Sequence, residues 1–125
     1  MAVIRRSWAD EVVMMDGVGV TSGSYSSPVD LQADGYEGAH VTVQADFPAS
    51  PTDDLEVYVQ ASLDGVGWDD TPLLCLTIAR GTDPNQVSFV VRDVARFRLY
   101  CKRSGGTDTI VVTAKCRPWR YTSVG

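Results

Sequence analysis

Residues 55–63 alternate between apolar and polar side chains, and no other sequence feature restricts the fold as strongly. The two sets are Leu55, Val57, Val59, Ala61 and Leu63 against Glu56, Tyr58, Gln60 and Ser62. A period of two predicts a strand with one face in a core and the other toward solvent or a neighbour. Asp64-Gly65 then predicts a tight turn, because glycine adopts positive φ without steric cost. We expect residues 73–78 to return antiparallel, with Trp68 as the buried anchor of this hairpin.

The same period recurs along the rest of the chain. Alternating segments lie at residues 39–47, 87–92 and 96–102, and shorter strand signals lie at residues 12–15, 28–31 and 109–116. Residues 104–108 are expected to turn the last two strands into a hairpin. Seven or eight short strands separated by turn signals predict an all-β fold, a single antiparallel β-sandwich of jelly-roll-like architecture. An incomplete barrel is the competing architecture.

The chain is expected to form one domain with two extensions. Its 125 residues, 44% of them hydrophobic, suffice for one core and are too few for two ordinary domains. Residues 1–11 show no clear period, and we expect them to form an N-terminal arm. The sandwich is expected to span residues 12–117, and residues 118–125 are expected to form a C-terminal tail. The large apolar side chains of the extensions are Trp8, Trp119 and Tyr121. We expect these side chains to dock on the domain or on a neighbour.

Charge is divided unevenly along the sequence. Residues 1–91 hold three bases and fourteen acids, a net charge of −11, while residues 92–125 hold eight bases and two acids, a net charge of +6. Either strands from the two parts neutralise each other within the domain, or the basic face of one copy meets the acidic face of another. The overall charge of −5 argues against nucleic acid as the main partner.

The apolar runs and the cysteines predict the cellular compartment in which the protein is made. No apolar run approaches the roughly 20 residues of a membrane span, and the charged start lacks the apolar region of a signal peptide. Cys75, Cys101 and Cys116 lie in strand-like runs, which favours buried free thiols over a disulfide framework. We expect a soluble protein made in the cytoplasm, with no membrane partner.

No constellation of residues indicates catalysis. His40 is the only histidine, and no recognised nucleophile motif lies beside it. The pairs Asp53-Asp54 and Asp69-Asp70 are expected to be solvated loop carboxylates, because no local spacing supplies the oxygen shell of calcium. The cysteines lack the paired spacing of a zinc site, and no glycine-rich phosphate loop opens a helix. The sequence predicts a non-enzymatic protein with no catalytic residue, metal or cofactor.

One row of basic side chains stands out near the end of the sequence. It consists of Arg96, Arg98, Tyr100 and Lys102, with Lys115 and Arg117 expected beside them on the last hairpin. Such a row either keeps an exposed sheet edge from aggregating or docks an acidic partner, which another copy of the chain would supply. Together with Trp8, Trp119 and Tyr121, the row predicts the contacts of a closed homo-oligomer, a trimer or a dimer.

Residues 60–68, Gln-Ala-Ser-Leu-Asp-Gly-Val-Gly-Trp, resemble the strand–turn signature of discoidin-like and other galactose-binding-like β-sandwiches. The resemblance implies a carbohydrate-binding module with a glycan as its partner. Tyr36, Tyr58 and Trp68 are the candidate aromatic platforms for a sugar.

The chain as a whole, with its Ser-Gly-Gly-Thr-Asp-Thr turn at residues 104–109, resembles the small jelly-roll accessory proteins of tailed bacteriophage particles. That resemblance implies a virion component made in the host cytoplasm, such as a capsid decoration, collar or fibre-base protein. Such a protein assembles in several copies and contacts other virion proteins. This structural role is our first hypothesis, and the carbohydrate-binding module is the alternative.

Overall fold

The computed structural model describes residues 3–81 and 85–124, and every regular element in these ranges is a strand. The strands are β1 (Val3–Trp8), β2 (Val12–Val20), β3 (Ser24–Tyr25), β4 (Val29–Asp30), β5 (Gly38–Asp46), β6 (Leu55–Ser62), β7 (Leu74–Ile78), β8 (Gln86–Arg92), β9 (Arg96–Arg103) and β10 (Ile110–Val124). Sheet 1 has the order β1-β10-β5-β8, with β2 also paired to β10, and sheet 2 has the order β3-β9-β6-β7, with β4 also paired to β9. The predicted all-β sandwich of antiparallel strands is confirmed, with ten strands instead of seven or eight.

One hydrophobic cluster draws its side chains from both sheets. Fully buried members include Val41 and Val43 of β5, Val57 and Val59 of β6, and Phe97 and Leu99 of β9. The inward faces predicted for these strands are therefore confirmed. Leu63 departs from the prediction and is 78% exposed. The reason is that β6 ends at Ser62, whose buried hydroxyl accepts a hydrogen bond from the amide of Gly65 in the turn.

The strand β2 breaks the alternation because it bulges. Met14 and Met15 are adjacent, yet both are buried. The pairing of β2 with β10 shifts register on both sides of Ala114, and Gly17 has a φ of 59°. Extra residues in a bulged strand disturb the strict alternation of its side chains. The strand also continues to Val20, beyond the short apolar run that predicted it.

The segments predicted as an N-terminal arm and a C-terminal tail are strands over their described residues, and they pair with each other. β1 is antiparallel to the end of β10, with Trp8 opposite Trp119. On its other edge, β10 pairs with β5 only as far as Trp119. Residues 3–8 and 119–124 therefore continue past β5 as a two-stranded ribbon, which we name the β1–β10 ribbon.

The predicted last hairpin is wrong, because β9 and β10 lie in different sheets. Residues 104–109 carry the chain from sheet 2 to sheet 1. Lys115 and Arg117 are exposed on the outer face of sheet 1. They do not extend the basic row of β9.

The three cysteines are free thiols. Cys101 of sheet 2 and Cys116 of sheet 1 are buried, whereas Cys75 of β7 is exposed. Burial raises the pKa of Cys101 to about 12 and that of Cys116 to about 11. Both buried thiols therefore stay protonated at neutral pH and lack the thiolate that reactive cysteines need.

Two aspartates join the loop before β6 to the loop before β10. Asp53 is 1% exposed, and its carboxylate accepts hydrogen bonds from the amides of Gly105, Gly106 and Asp108. The carboxylate of Asp108 in turn accepts hydrogen bonds from the amides of Thr52 at 2.7 Å and Asp53 at 2.9 Å. We name this pair the Asp53–Asp108 clasp. The expectation of a solvated carboxylate is wrong for Asp53, because loop amides replace water around it.

Candidate functional site

The basic row of β9 lies on the outer face of sheet 2, as the alternation of that strand predicts. Side chains from β3, β6 and the loop after β6 lie beside it. The surface, which we name the β9 face, comprises Tyr25, Tyr58, Trp68, Arg96, Arg98, Tyr100 and Lys102. Tyr100 lies directly opposite Tyr58 on one side and Tyr25 on the other. The strand register therefore builds a row of three tyrosines with Tyr100 at its centre.

Aromatic rings and guanidinium groups contact one another across the β9 face. The ring centres of Tyr25 and Tyr58 lie 4.7 Å and 6.2 Å from that of Tyr100. The guanidinium carbon of Arg98 lies 4.1 Å from the ring centre of Tyr25 and 4.3 Å from that of Trp68. Cation–π contacts at these distances are attractive and favour one arrangement of the side chains.

The prediction that Trp68 is a buried anchor is wrong. The Trp68 side chain is half-buried on the outer face of sheet 2. Its ring centre lies 4.6 Å and 4.3 Å from the guanidinium carbons of Arg96 and Arg98. The indole of Trp68 therefore packs on the outward side chains of β9 instead of in the core. The sequence pattern of the hairpin does not predict this position.

We expect Trp68→Ala to lower the free energy of unfolding by about 1–2 kcal/mol, because it removes two cation–π contacts worth roughly 0.5–1 kcal/mol each. Phe97→Ala is the matched control, since Phe97 is fully buried on the opposite face of β9. Truncating an aromatic core residue costs about 3–5 kcal/mol. Urea unfolding followed by circular dichroism compares the two variants, and equal losses would contradict the outer position of Trp68.

The cations of the β9 face already have partners in the same chain. The Nε of Arg98 donates to the Oε1 of Gln60 at 2.7 Å, and Arg96 donates to a backbone carbonyl in the loop after β6. The ammonium of Lys102 lies 3.6 Å from the carboxylate of Glu56. Of these three cations only Lys102 is in an ion pair, whereas Arg96 and Arg98 bind neutral acceptors and keep their positive charge.

A shallow depression of about 290 Å³ lies among the three tyrosines of the β9 face. Its other lining residues are Gln60, Asp70, Pro72 and Lys102. The backbone of Gly23 lies so close to Tyr100 that a Cβ at this position would clash with the phenol ring. An aromatic floor with a few polar groups at its rim suits a small polar ligand that also has an apolar face.

The β1–β10 ribbon brings together the other predicted contact residues. Its register places Ile4, Arg6, Trp8, Trp119 and Tyr121 on one face. The ring centres of Trp8 and Trp119 lie 5.5 Å apart. The guanidinium carbon of Arg6 lies 4.7 Å from the ring centre of Trp119, 5.5 Å from that of Trp8 and 5.9 Å from that of Tyr121. Arg6 also lowers the pKa of the Tyr121 hydroxyl, chiefly by hydrogen bonding.

Arg6 lies at the centre of this aromatic cluster, although the sequence alone does not identify it as a contact residue. The only sequence feature that connects Arg6 with this cluster is its spacing of two residues from Trp8, because this spacing places both side chains on one face of a strand. Without the β1–β10 pairing, that spacing is uninformative.

Trp119 fixes the ribbon to the sandwich. It is 1% exposed although it lies on the outer face of sheet 1. Its ring lies across Gly38 of β5, and a Cβ at Gly38 would stand 2.5 Å from the ring. The glycine therefore makes the room that the indole occupies.

The rest of the ribbon is accessible. Ile4 is 64% exposed and Trp8 is 42% exposed, and Val3 and Tyr121 are also exposed. The charged residues of the ribbon are Arg5, Arg6 and Arg120, a net charge of +3. Four ion pairs occur in residues 3–81 and 85–124, and none includes these arginines. The ribbon thus presents apolar side chains flanked by unpaired positive charge.

The predicted contact residues form two separate surfaces. Arg96, Arg98, Tyr100 and Lys102 lie together on sheet 2, whereas Trp8, Trp119 and Tyr121 lie together on the ribbon of sheet 1. The candidate sugar platform Tyr36 is half-buried, with its ring centre 5.4 Å from the guanidinium carbon of Arg120. His40 is exposed on the outer face of β5. Among the described residues, no three His, Cys, Asp or Glu side chains form a group that could hold a metal ion.

Comparison with known proteins gives little further information. No protein-family model matches the sequence, and no curated protein matches it. A solved structure from Bacillus, described as endospore appendages that form a family of disulfide-linked pili, is similar over 97% of this chain and 88% of that chain, with 14% identity and a TM-score of 0.44. This similarity is too low to carry a functional argument. Within the described ranges, no helix is long and apolar enough to cross a membrane.

Proposed function

We propose that this chain is a non-enzymatic structural subunit of a tailed-phage particle, present in several copies as a capsid decoration, collar or fibre-base protein. The observation that carries the proposal is the β1–β10 ribbon, which extends past β5 and exposes apolar, aromatic and arginine side chains. The resemblance of the sequence to jelly-roll accessory proteins supplies the kind of particle.

A two-stranded ribbon is only marginally stable in water by itself, because it buries little apolar area. In this chain its base is covered at Trp119, while its far end has no third strand among the described residues. Open strand edges and exposed apolar side chains are the features that a neighbouring subunit covers by strand addition or docking. A subunit of an assembly has such a neighbour, and contact with it would stabilise the ribbon.

The β9 face supplies a second contact surface for the same role. Aromatic and arginine side chains are enriched in protein interfaces, and this face combines both with a shallow relief. Arg96, Arg98, Tyr100 and Lys102 belong to it. Because the contacts of both surfaces include charges, we expect salt to weaken attachment to the particle.

Incorporation into the particle tests this proposal. Ile4→Glu places a charge at an apolar side chain of the ribbon that is 64% exposed, and it leaves Trp119 in place. Val90→Glu is the matched control, since Val90 is exposed on the outer face of the same sheet. Particles purified from cells that make the chain with the other virion proteins should contain the wild type and Val90→Glu in several copies and lack Ile4→Glu. Absence of the wild-type chain from purified particles would overturn the proposal.

Carbohydrate binding is the second candidate function, and the depression among Tyr25, Tyr58 and Tyr100 favours it. Tyrosine offers an apolar ring face for a sugar ring and a hydroxyl for hydrogen bonding. Lactose, titrated while NMR signals are followed, should give saturable shifts that Tyr25→Ala abolishes and Tyr36→Ala leaves unchanged. A wild-type protein without saturable shifts would exclude lactose-type binding at this depression.

A further inference from the structure

The loop between β6 and β7, residues 63–73, has the charge opposite to that of the β1–β10 ribbon. Its charged residues are Asp64, Asp69 and Asp70, a net charge of −3. Leu63 and Val66 are 78% and 81% exposed, and Leu73 is also exposed. Exposed apolar side chains grouped in this way mark interaction surfaces on soluble proteins.

The ribbon and the loop complement each other in both charge and apolar character. The ribbon carries +3 and the loop −3, and each also exposes apolar side chains. None of these six charged groups belongs to an ion pair in residues 3–81 and 85–124. Arg96 and Arg98 of β9 contact Trp68 on the side of the loop that faces sheet 2 and reduce its negative charge there. Two surfaces of opposite sign attract each other and fix the orientation of the partners. A second copy of this chain therefore supplies the matching surface for both.

Backbone hydrogen bonds place the start of the loop and the base of the ribbon at the same end of the sandwich. The carbonyl of Ser62, where the loop begins, accepts a bond from the amide of Ala95 at 3.0 Å. The carbonyl of Ala95 accepts a bond from the amide of Leu31 at 2.9 Å. A few residues later, the amide of Glu37 donates to the carbonyl of Trp119, at the base of the ribbon, at 2.8 Å. One short network thus connects the start of the loop to the base of the ribbon, and Asp69 and Asp70 follow on the adjoining outer face of sheet 2, where the amide of Asp69 donates to the carbonyl of Ala61.

We infer that the β1–β10 ribbon of one copy docks onto the 63–73 loop of a second copy, and the reverse, in a two-fold dimer. A two-fold interface uses the same patch on both subunits, so that residue i of one contacts residue j of the other and j contacts i. Two complementary surfaces at one end of the molecule meet this condition, and every contact forms twice. This inference deepens the proposed function and rests on the same ribbon.

Charge reversal tests the dimer without disturbing the fold. Arg5→Glu with Arg120→Glu reverses the ribbon, and Asp69→Lys with Asp70→Lys reverses the loop, all at exposed positions. Arg6 stays unchanged because it lies over Trp119, and Asp64 stays because it accepts a hydrogen bond from the amide of Val66 at 2.8 Å. Circular dichroism and thermal unfolding should show that both variants remain folded.

Analytical ultracentrifugation measures the assembly. The molar mass measured for the wild type should be twice the chain mass of 13.6 kDa. Each charge-reversed variant alone should dimerise at least tenfold more weakly, because like charges then face each other in both contacts. An equimolar mixture of the two variants should recover the dimer, since both contacts again join opposite charges.

The inference would be overturned by a wild-type protein that stays monomeric at millimolar concentration, by variants that dimerise like the wild type, or by a mixture that stays monomeric. A trimer or a larger ring would exclude the two-fold arrangement. The outcome is separable from the particle test. If the protein dimerises but is absent from particles, only the proposed phage role is contradicted. If it is found in particles but stays monomeric in solution, only the proposed dimer is contradicted.

Discussion

Replacing Trp119 by alanine is expected to lower the free energy of unfolding by about 3–5 kcal/mol, the range for truncation of a buried aromatic side chain. Trp119 is 1% exposed, and its indole fills the space over Gly38 and beneath Arg6. Its removal exposes this part of sheet 1 and frees the base of the ribbon. Guanidinium unfolding followed by circular dichroism measures the loss.

Trp8→Ala is the control for this variant. Trp8 stands directly opposite Trp119 in the ribbon but is 42% exposed, so that its truncation should cost less than half as much. If the two variants lost equal stability, Trp119 would not be the residue that joins the ribbon to the sandwich.

Loss of the Asp53 carboxylate should cause the second large effect. Asp53→Ala removes a buried carboxylate that accepts hydrogen bonds from the amides of Gly105, Gly106 and Asp108, and the loss of these charge-assisted hydrogen bonds is unfavourable. Asp46→Ala is the control, since Asp46 is exposed at the end of β5. We expect a clearly lower unfolding midpoint in urea for Asp53→Ala and an almost unchanged one for Asp46→Ala. Equal midpoints would contradict the structural role of the clasp.

The clasp also predicts how stability depends on pH. Burial opposes ionisation of Asp53, but hydrogen bonds from Asp108, Gly106, Gly105 and Ser104 outweigh it and lower the pKa below its ordinary value of 3.8. Amide hydrogen bonds lower the pKa of Asp108 as well. Groups with a lowered folded-state pKa stabilise the protein above their unfolded-state pKa, and that stability is lost as the pH falls through the folded-state pKa. Wild-type stability should therefore fall steeply below about pH 4, and more steeply than that of Asp53→Ala.

The sandwich could be predicted because its core strands carry a local signal. In β5, β6 and β9 every second side chain is apolar, and a strand buried on one face requires this period. The β9 row was predictable for the same reason. The pairing partners of the strands were not, because a period of two says which face is buried and nothing about which strand lies beside it.

The features that the sequence alone could not predict depend on contacts between distant segments. The ribbon joins residues 3–8 to residues 119–124, and Arg5-Arg6 hides the strand pattern of the first segment. Asp53 is an acidic loop residue by composition, and only the amides of another loop make its burial favourable. Trp68 has enough apolar area for a core, but the guanidinium groups of β9 provide the surface on which it lies. Each error is a case of tertiary contacts overriding a correct local preference.

Hydrogen exchange measured at increasing protein concentration tests whether the β1–β10 ribbon is a docking surface between copies. A ribbon that buries little apolar surface should open locally at a small cost in free energy. Core strands open only when the whole domain unfolds. We predict that amides in residues 3–7 and 120–124, beyond the base at Trp119, exchange quickly in dilute protein and become protected as the concentration rises, while those of β9 stay protected throughout. Ribbon exchange rates that do not change between micromolar and millimolar protein would contradict the account.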